Sequence, residues 1–140
     1  MKYKFLDHTA DVMFEAAGKN LNELFTNAAL AVFNVQCNLK KVENKLKKEI
    51  KLKNENAEDL LFDFLGELIY LKDAKSLLFG EFKISIKNIK NKYLLEAAAY
   101  GEKINPEKHE LKIDVKAVTL YEFFLKETRN GWKCRVVLDI

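Results

Sequence analysis

Two cysteines, one proline and five glycines among 140 residues exclude several kinds of protein before any pattern is sought. Cys37 and Cys134 are far apart and outside any C-x-x-C pair, so neither a disulfide framework nor a four-cysteine zinc site is available. Both are expected as small core residues in a reducing setting. The glycines at 18, 66, 80, 101 and 131 are too scattered for a phosphate-cradling loop, which removes the P-loop and the dinucleotide fingerprint. Ser76 and Ser85 are the two serines, and neither sits in a nucleophile elbow. A cysteine nucleophile would need His8 or His109 carried to Cys37 or Cys134 by the fold. No run approaches the roughly 20 apolar residues that span a bilayer, and Met1–Asp7 lacks the apolar core of a signal peptide. A soluble, cytoplasmic protein without a membrane partner is expected.

What the chain does have is 49% apolar and 32% charged residues, enough for one compact domain over 1–140 with a full hydrophobic core and no metal or disulfide staple. Two stretches have helical period. From the N-cap candidate Asn20, with Glu23 in capping-box position, Leu21, Leu24, Phe25, Ala28, Ala29, Val32 and Val35 recur at three- and four-residue steps. A second stripe, Leu60, Leu61, Phe64, Leu65, Leu68 and Ile69, follows Asn56, with Glu58 and Asp59 in the first turn. This second helix is expected to be the more buried.

Alternation and β-branched or aromatic content mark strands at 2–6, 12–17, 46–52, 82–89, 93–100, 112–127 and 132–139. Residues 88–92 and 129–131 suggest hairpin turns, and 101–109, with Pro106, a longer loop. The order ββαβαββββ predicts an α+β layered sandwich, two amphipathic helices on a mostly antiparallel sheet, rather than a doubly wound parallel sheet.

The net charge of +3 is unevenly placed. Residues 40–53 carry seven lysines against Glu43 and Glu49, a local +5, so the other 126 residues sum to −2. Lysines of this kind guard exposed edge strands, or follow a nucleic-acid backbone. No aromatic residue is interleaved among them for base stacking.

Candidate chemistry is acidic. Asp7-His8-Thr9-Ala10-Asp11 places two carboxylates and an imidazole between the first two strands. At the other extremity, Asp139 lies beside the α-carboxylate of Ile140, a pair of anions that a divalent ion would neutralise. Oxygen donors from Asp11, Asp139 and Ile140 would suit Ca²⁺, Mg²⁺ or Mn²⁺ better than zinc. The alternative is structural: Asp139 and the terminus solvated or paired with Arg135 or Lys133, Asp7 capping a turn, His8 packed. A two-His-one-carboxylate set from His8, His109 and Asp11 rests on residue count alone. Asp63 and Glu67 lie one turn apart on the flank of the second helix, and His109 in its polar loop reads as exposed or turn-stabilising.

The sequence resembles the archease family. The resemblance is carried by Asp7-His8-Thr9-Ala10-Asp11-Val12, Leu24-Phe25 with Ala28-Ala29-Leu30, and Asp59-Leu60-Leu61 with Phe64-Leu65 and Glu67-Leu68. It continues through Gly101-Glu102, Lys108-His109, Lys116-Ala117-Val118-Thr119 and the closing Arg135-Val136-Val137-Leu138-Asp139-Ile140. At Leu120-Tyr121 the chain departs from the Tyr-His pair expected there, so a role carried by that histidine does not transfer. The resemblance implies a protein cofactor rather than an enzyme: an activator of the RtcB-type RNA ligase of tRNA splicing, promoting GMP attachment to the ligase's histidine and repeated turnover. It also implies a divalent-cation site on Asp11, Asp139 and Ile140, with Ca²⁺ the cation expected in isolation and Mg²⁺ or Mn²⁺ as alternatives. Asp7, His8, Glu67 and His109 are candidate supporting or partner-contacting residues. Rival readings are a chaperone or specificity modulator of a tRNA methyltransferase, and direct RNA binding through residues 40–53.

Overall fold

The computed structural model describes residues 2–6 and 11–140. Its elements run β1 (Tyr3–Leu6), β2 (Val12–Gly18), α1 (Leu21–Gln36), a 3₁₀ turn (Leu39–Lys41), β3 (Leu46–Asn54), α2 (Ala57–Lys75), β4 (Leu77–Ile89), β5 (Lys92–Lys103), α3 (Pro106–His109), β6 (Ala117–Thr128) and β7 (Gly131–Asp139). The α+β class and the order of the main elements are as the sequence predicts.

The strands form two antiparallel sheets rather than one, β1-β2-β7-β6 and β3-β5-β4. The two long helices join them into one core. Helix α1 packs on β2 of the first sheet and β4 of the second; α2 packs on β6 and β3. Side chains from both sheets and both helices share a single apolar cluster, including Phe14, Phe25, Phe64, Leu78, Phe79, Leu95 and Val136.

Helix α1 starts where Asn20 Oδ1 accepts the Glu23 N–H at 2.9 Å; Glu23 reaches back to the Lys19 N–H at 3.2 Å, completing the cap one residue early. Helix α2 starts in the same way, Asn56 Oδ1 accepting the Asp59 N–H at 2.8 Å. The order of burial is the reverse of the sequence expectation. Helix α1 lies between the two sheets and buries Leu24, Phe25, Ala28, Ala29, Ala31, Val32, Phe33 and Val35, whereas α2 keeps Glu58, Asp59, Asp63, Tyr70 and Asp73 in solvent. Among the described residues no helix is long and apolar enough to cross a membrane.

Two boundaries differ for identifiable reasons. Residues 112–116 alternate like a strand but are captured elsewhere: Lys112 and Ile113 donate to the carbonyls of Gln36 and Val35, and Val115 N–H donates to Gln36 Oε1 at 3.3 Å. The ammonium of Lys72 holds the same crossing, donating to the Val115 carbonyl at 2.8 Å. Strand β5 extends through 101–103, expected as loop, because Gly101 lets β4 approach at the bulge between Phe79 and Glu81. A Cβ at Gly101 would lie 1.8 Å from the Leu78 carbonyl oxygen. Gly101→Ala is therefore expected to destabilise by about 3 kcal/mol, the upper part of the usual overpacking range, measured by denaturant unfolding.

Candidate functional site

Register brings the acidic residues of the two extremities together. Strands β2 and β7 pair from Gly18↔Trp132 to Val12↔Leu138. Asp11 immediately precedes Val12 and Asp139 immediately follows Leu138, so both lie at the same end of one ladder. On the other side of β7, Ala117 stands opposite Asp139, and the Lys116 N–H donates to the Asp139 carbonyl at 2.8 Å. Ile140 follows, partly exposed. Asp7 and His8 lie outside the described residues.

The cations proposed from sequence as partners of Asp139 are engaged elsewhere. Alternation puts Phe14, Ala16, Cys134, Val136 and Leu138 into the core and leaves Glu15, Lys133 and Arg135 on the outer face. There Glu15 stands opposite Arg135 and takes both its Nε at 3.1 Å and its NH2 nitrogen at 2.8 Å. Lys133 reaches the same carboxylate at 3.3 Å and Lys4 at 3.8 Å. Burial alone would raise the Glu15 pKa; the Arg135 and Lys133 contacts outweigh it and hold the carboxyl below its ordinary range. Arg135 and Lys133 are thus drawn toward Glu15 rather than toward Asp139.

Beside this end runs a mainly apolar groove of about 560 Å³ between α2 and the start of β6, lined by Phe62, Ile69, Tyr70 and Val118 and by the charged Asp73 and Lys116. Strand β6 then breaks register between Thr119 and Phe124, and the four residues of the bulge include Glu122 at φ +50°. The bulge carries Leu120 and Tyr121, 70% and 61% exposed, which with Tyr70 at 58% are the most exposed large apolar side chains among the described residues. These are the residues at which the sequence departs from the expected Tyr-His pair.

The other candidates fall elsewhere. Glu67 is half-buried on α2, one turn after Asp63, which accepts from Asn54 of β3 at 3.0 Å, and is not among the residues that line the groove. His109 is fully buried, so the exposed reading of it does not hold; the turn-stabilising one does. Its Nδ1 accepts the Asn105 N–H at 2.9 Å, which puts the ring proton on Nε2, 3.0 Å from Glu102 Oε2 but off the line of a well-formed hydrogen bond. The same carboxylate takes the Glu43 N–H at 2.7 Å and the Lys108 ammonium at 2.9 Å. Burial pushes the Glu102 pKa up; the contacts from His109, Glu43 N–H and Lys108 overcome this and bring it down to about 2. Sequence reasoning missed this cluster because its members lie on β5, α3 and the segment before β3.

Cys37 and Cys134 are free and buried, and burial pushes their thiols up to about 11 and about 12, which disfavours the reactive thiolate and suits small core residues.

Residues 3–140 match the family model described as the archease protein family (MTH1598/TM1083). The chain belongs to the archease family. Protein archease of Pyrococcus furiosus is 41% identical over 140 residues, covering 99% of each chain. Protein archease of Sulfolobus acidocaldarius is 42% identical over 139 residues, again covering 99% of both. The solution structure of Methanobacterium thermoautotrophicum protein 1598 superposes with a TM-score of 0.88 at 37% identity, covering 99% of this chain and 98% of that one. The crystal structure of an archease from Thermotoga maritima, described as a possible chaperone, shares the fold with a TM-score of 0.63 at 24% identity, covering 98% and 96%. The archease fold thus accounts for nearly the whole chain, and its acidic end is where the second and last strands, β2 and β7, pair.

Proposed function

We propose that this archease activates an RNA ligase of the RtcB type, using the Asp11–Asp139 end to promote GMP attachment to the ligase's active-site histidine. The observation that carries the reading is the register of β2 and β7, which sets two carboxylates from opposite extremities of the chain at one ladder end beside an apolar groove.

The donors fit a hard divalent ion. They are carboxylate and main-chain oxygens, from Asp11, Asp139 and Ile140, which suit Ca²⁺, Mg²⁺ or Mn²⁺ rather than zinc. Among the described residues no three His, Cys, Asp or Glu side chains gather closely enough to enclose a metal. Asp11 and Asp139 with an Ile140 oxygen would therefore hold a cation on one side and leave its other positions to water or to a partner. Such a cation supplies charge neutralisation to phosphoryl groups, the main requirement of guanylyl transfer.

The chain's own contribution is docking and placement. The groove and the Leu120-Tyr121 bulge give an apolar seat for a protein partner, and the ladder end presents its carboxylates at the rim of that seat. Asp139 closes β7 and Asp11 directly precedes β2, so the register of the two strands would keep the residues that hold a cation at one place on the surface.

The test is the joining of tRNA halves by purified ligase with GTP and Mn²⁺, with this protein added below the ligase concentration and ligation events counted per ligase molecule. More than one ligation event per ligase molecule is expected with the protein and about one without it. Equal turnover in both, with retained binding to a tRNA methyltransferase, would transfer the reading to the methyltransferase partner.

A further inference from the structure

The fold assembles a basic face that no segment of the sequence contains. In β3 the side chains of Lys47, Glu49, Lys51 and Lys53 point away from the core, while Ile50 points into it. Register places beside them Tyr100, Ala98, Glu96 and Leu94 of β5, then Glu81, Lys83, Ser85 and Lys87 of β4. The hairpin tip adds Lys90 and Lys92. Seven lysines against Glu49, Glu81 and Glu96 give this face +4, when the whole chain carries +3, so the rest of the molecule is about −1.

The lysines of residues 40–53 divide accordingly. Lys41 pairs with Glu110 at 2.8 Å, Lys45 lies 3.7 Å from Glu102, and Lys48 has the parity of the inner face. By contrast, among the described residues Lys51, Lys53, Lys87, Lys90 and Lys92 make no ion pair with a carboxylate. Guarding against strand pairing accounts for a lysine or two on each of β3 and β4, which are both edge strands. It does not require them to share one face of the sheet and to continue around the hairpin tip at Lys90 and Lys92.

Between the two lysine rows lies a trough of about 400 Å³, floored by Ala98 and Ser85 and bordered by Lys51, Lys83, Glu49 and Glu96. The rows are two strand spacings, about 10 Å, apart, and lysines two residues apart in a strand are about 7 Å apart. Tyr100 supplies the aromatic ring that residues 40–53 lack, with Lys83 Nζ 5.5 Å from its centroid.

We infer that the outer face of the β3-β5-β4 sheet binds single-stranded RNA, its lysine rows along the phosphates and its trough under the bases. The unneutralised charge selects a polyanion. Glu49, Glu96 and Ser85 add acceptors for base amino groups and ribose hydroxyls, which an acidic polypeptide does not offer. The choice of RNA among nucleic acids rests on the ligase reading above, and the two fail separately: this face lies on the other sheet from Asp11 and Asp139.

The test is the salt dependence of binding to a labelled single-stranded RNA, with polyglutamate and anionic phosphatidylserine vesicles as separate arms. Wild type is expected to give a log–log slope near −3, from about 0.7 per phosphate contact over four or five lysines. Replacing Lys51, Lys53, Lys87 and Lys92 by Ala should flatten that slope by about 3, while replacing Lys2, Lys19, Lys40 and Lys75 should leave it unchanged. RNA-independent GMP transfer to the ligase should be equal in both variants. A slope that survives in the face variant, or falls equally in the control, overturns the proposal, as does polyglutamate or vesicle binding of equal strength.

Discussion

Asp11→Asn and Asp139→Asn are each expected to weaken Ca²⁺ binding by about 100-fold or more, while the melting temperature of metal-free Asp139→Asn stays level or rises slightly. Loss of an outer partner of a metal ligand typically costs about 10–100-fold, and loss of a charged ligand should exceed that. The metal-free effect has the opposite sign because two carboxylates at one ladder end repel, and like charges on neighbouring strands destabilise by up to about 1 kcal/mol. Asn keeps the shape and the hydrogen-bonding oxygen of Asp while removing the charge. Calorimetric titration with Ca²⁺, paired with thermal unfolding in chelator, separates the two effects. Parallel losses of affinity and stability would mean that the carboxylates serve the fold instead.

The second large effect falls on stability. Glu102→Ala is expected to destabilise by about 3 kcal/mol, because it leaves the Glu43 N–H without its acceptor and removes the carboxylate that faces the Lys108 ammonium and the buried His109 ring. For a chain of this length that lowers the melting temperature by roughly 10 °C. Its pH dependence has a definite sign. The carboxyl titrates near its ordinary 4.5 when unfolded and near about 2 when folded, so its contribution is complete above pH 4.5 and is lost as pH falls toward 2. Glu102→Gln should accordingly show a flatter acid limb than wild type between those values in denaturant unfolding. An unchanged limb would assign acid sensitivity to another carboxylate such as Glu15.

What the sequence disclosed was local. The steps from Leu21 to Val35 behind Asn20, and the stripe from Leu60 to Ile69 behind Asn56, state both helices with their caps, because capping and amphipathic burial are decided within a few residues. Alternation states which side chains of a strand share a face. It does not state which strands are neighbours, and most of what differed follows from that. One expected sheet became two, Lys112–Lys116 was drawn from strand into a crossing by Gln36 and Lys72, and His109 went inside because Glu102 waits on β5. The partner of Arg135 was hidden for the same reason: Glu15 stands opposite it through a register spanning nearly the whole chain.

The acidic end was legible as composition, since Asp11 and Asp139 invite attention at either extremity. Its companion features were not. The groove joins α2 to β6, and the lysine face joins β3 to β4 across β5, so each exists through pairing alone. The molecule therefore presents an acidic end with an apolar seat on one sheet and a basic face on the other, an arrangement suited to meeting a protein and a nucleic acid at once.

The most direct measurement counts GMP transferred per ligase molecule when this archease is present at one-tenth of the ligase concentration, comparing wild type with folded Asp139→Asn. Wild type should drive many transfers per molecule of archease, and the variant should leave the ligase at its unassisted level. Equal counts from the two proteins would contradict the assignment of function to the joined ends of the chain.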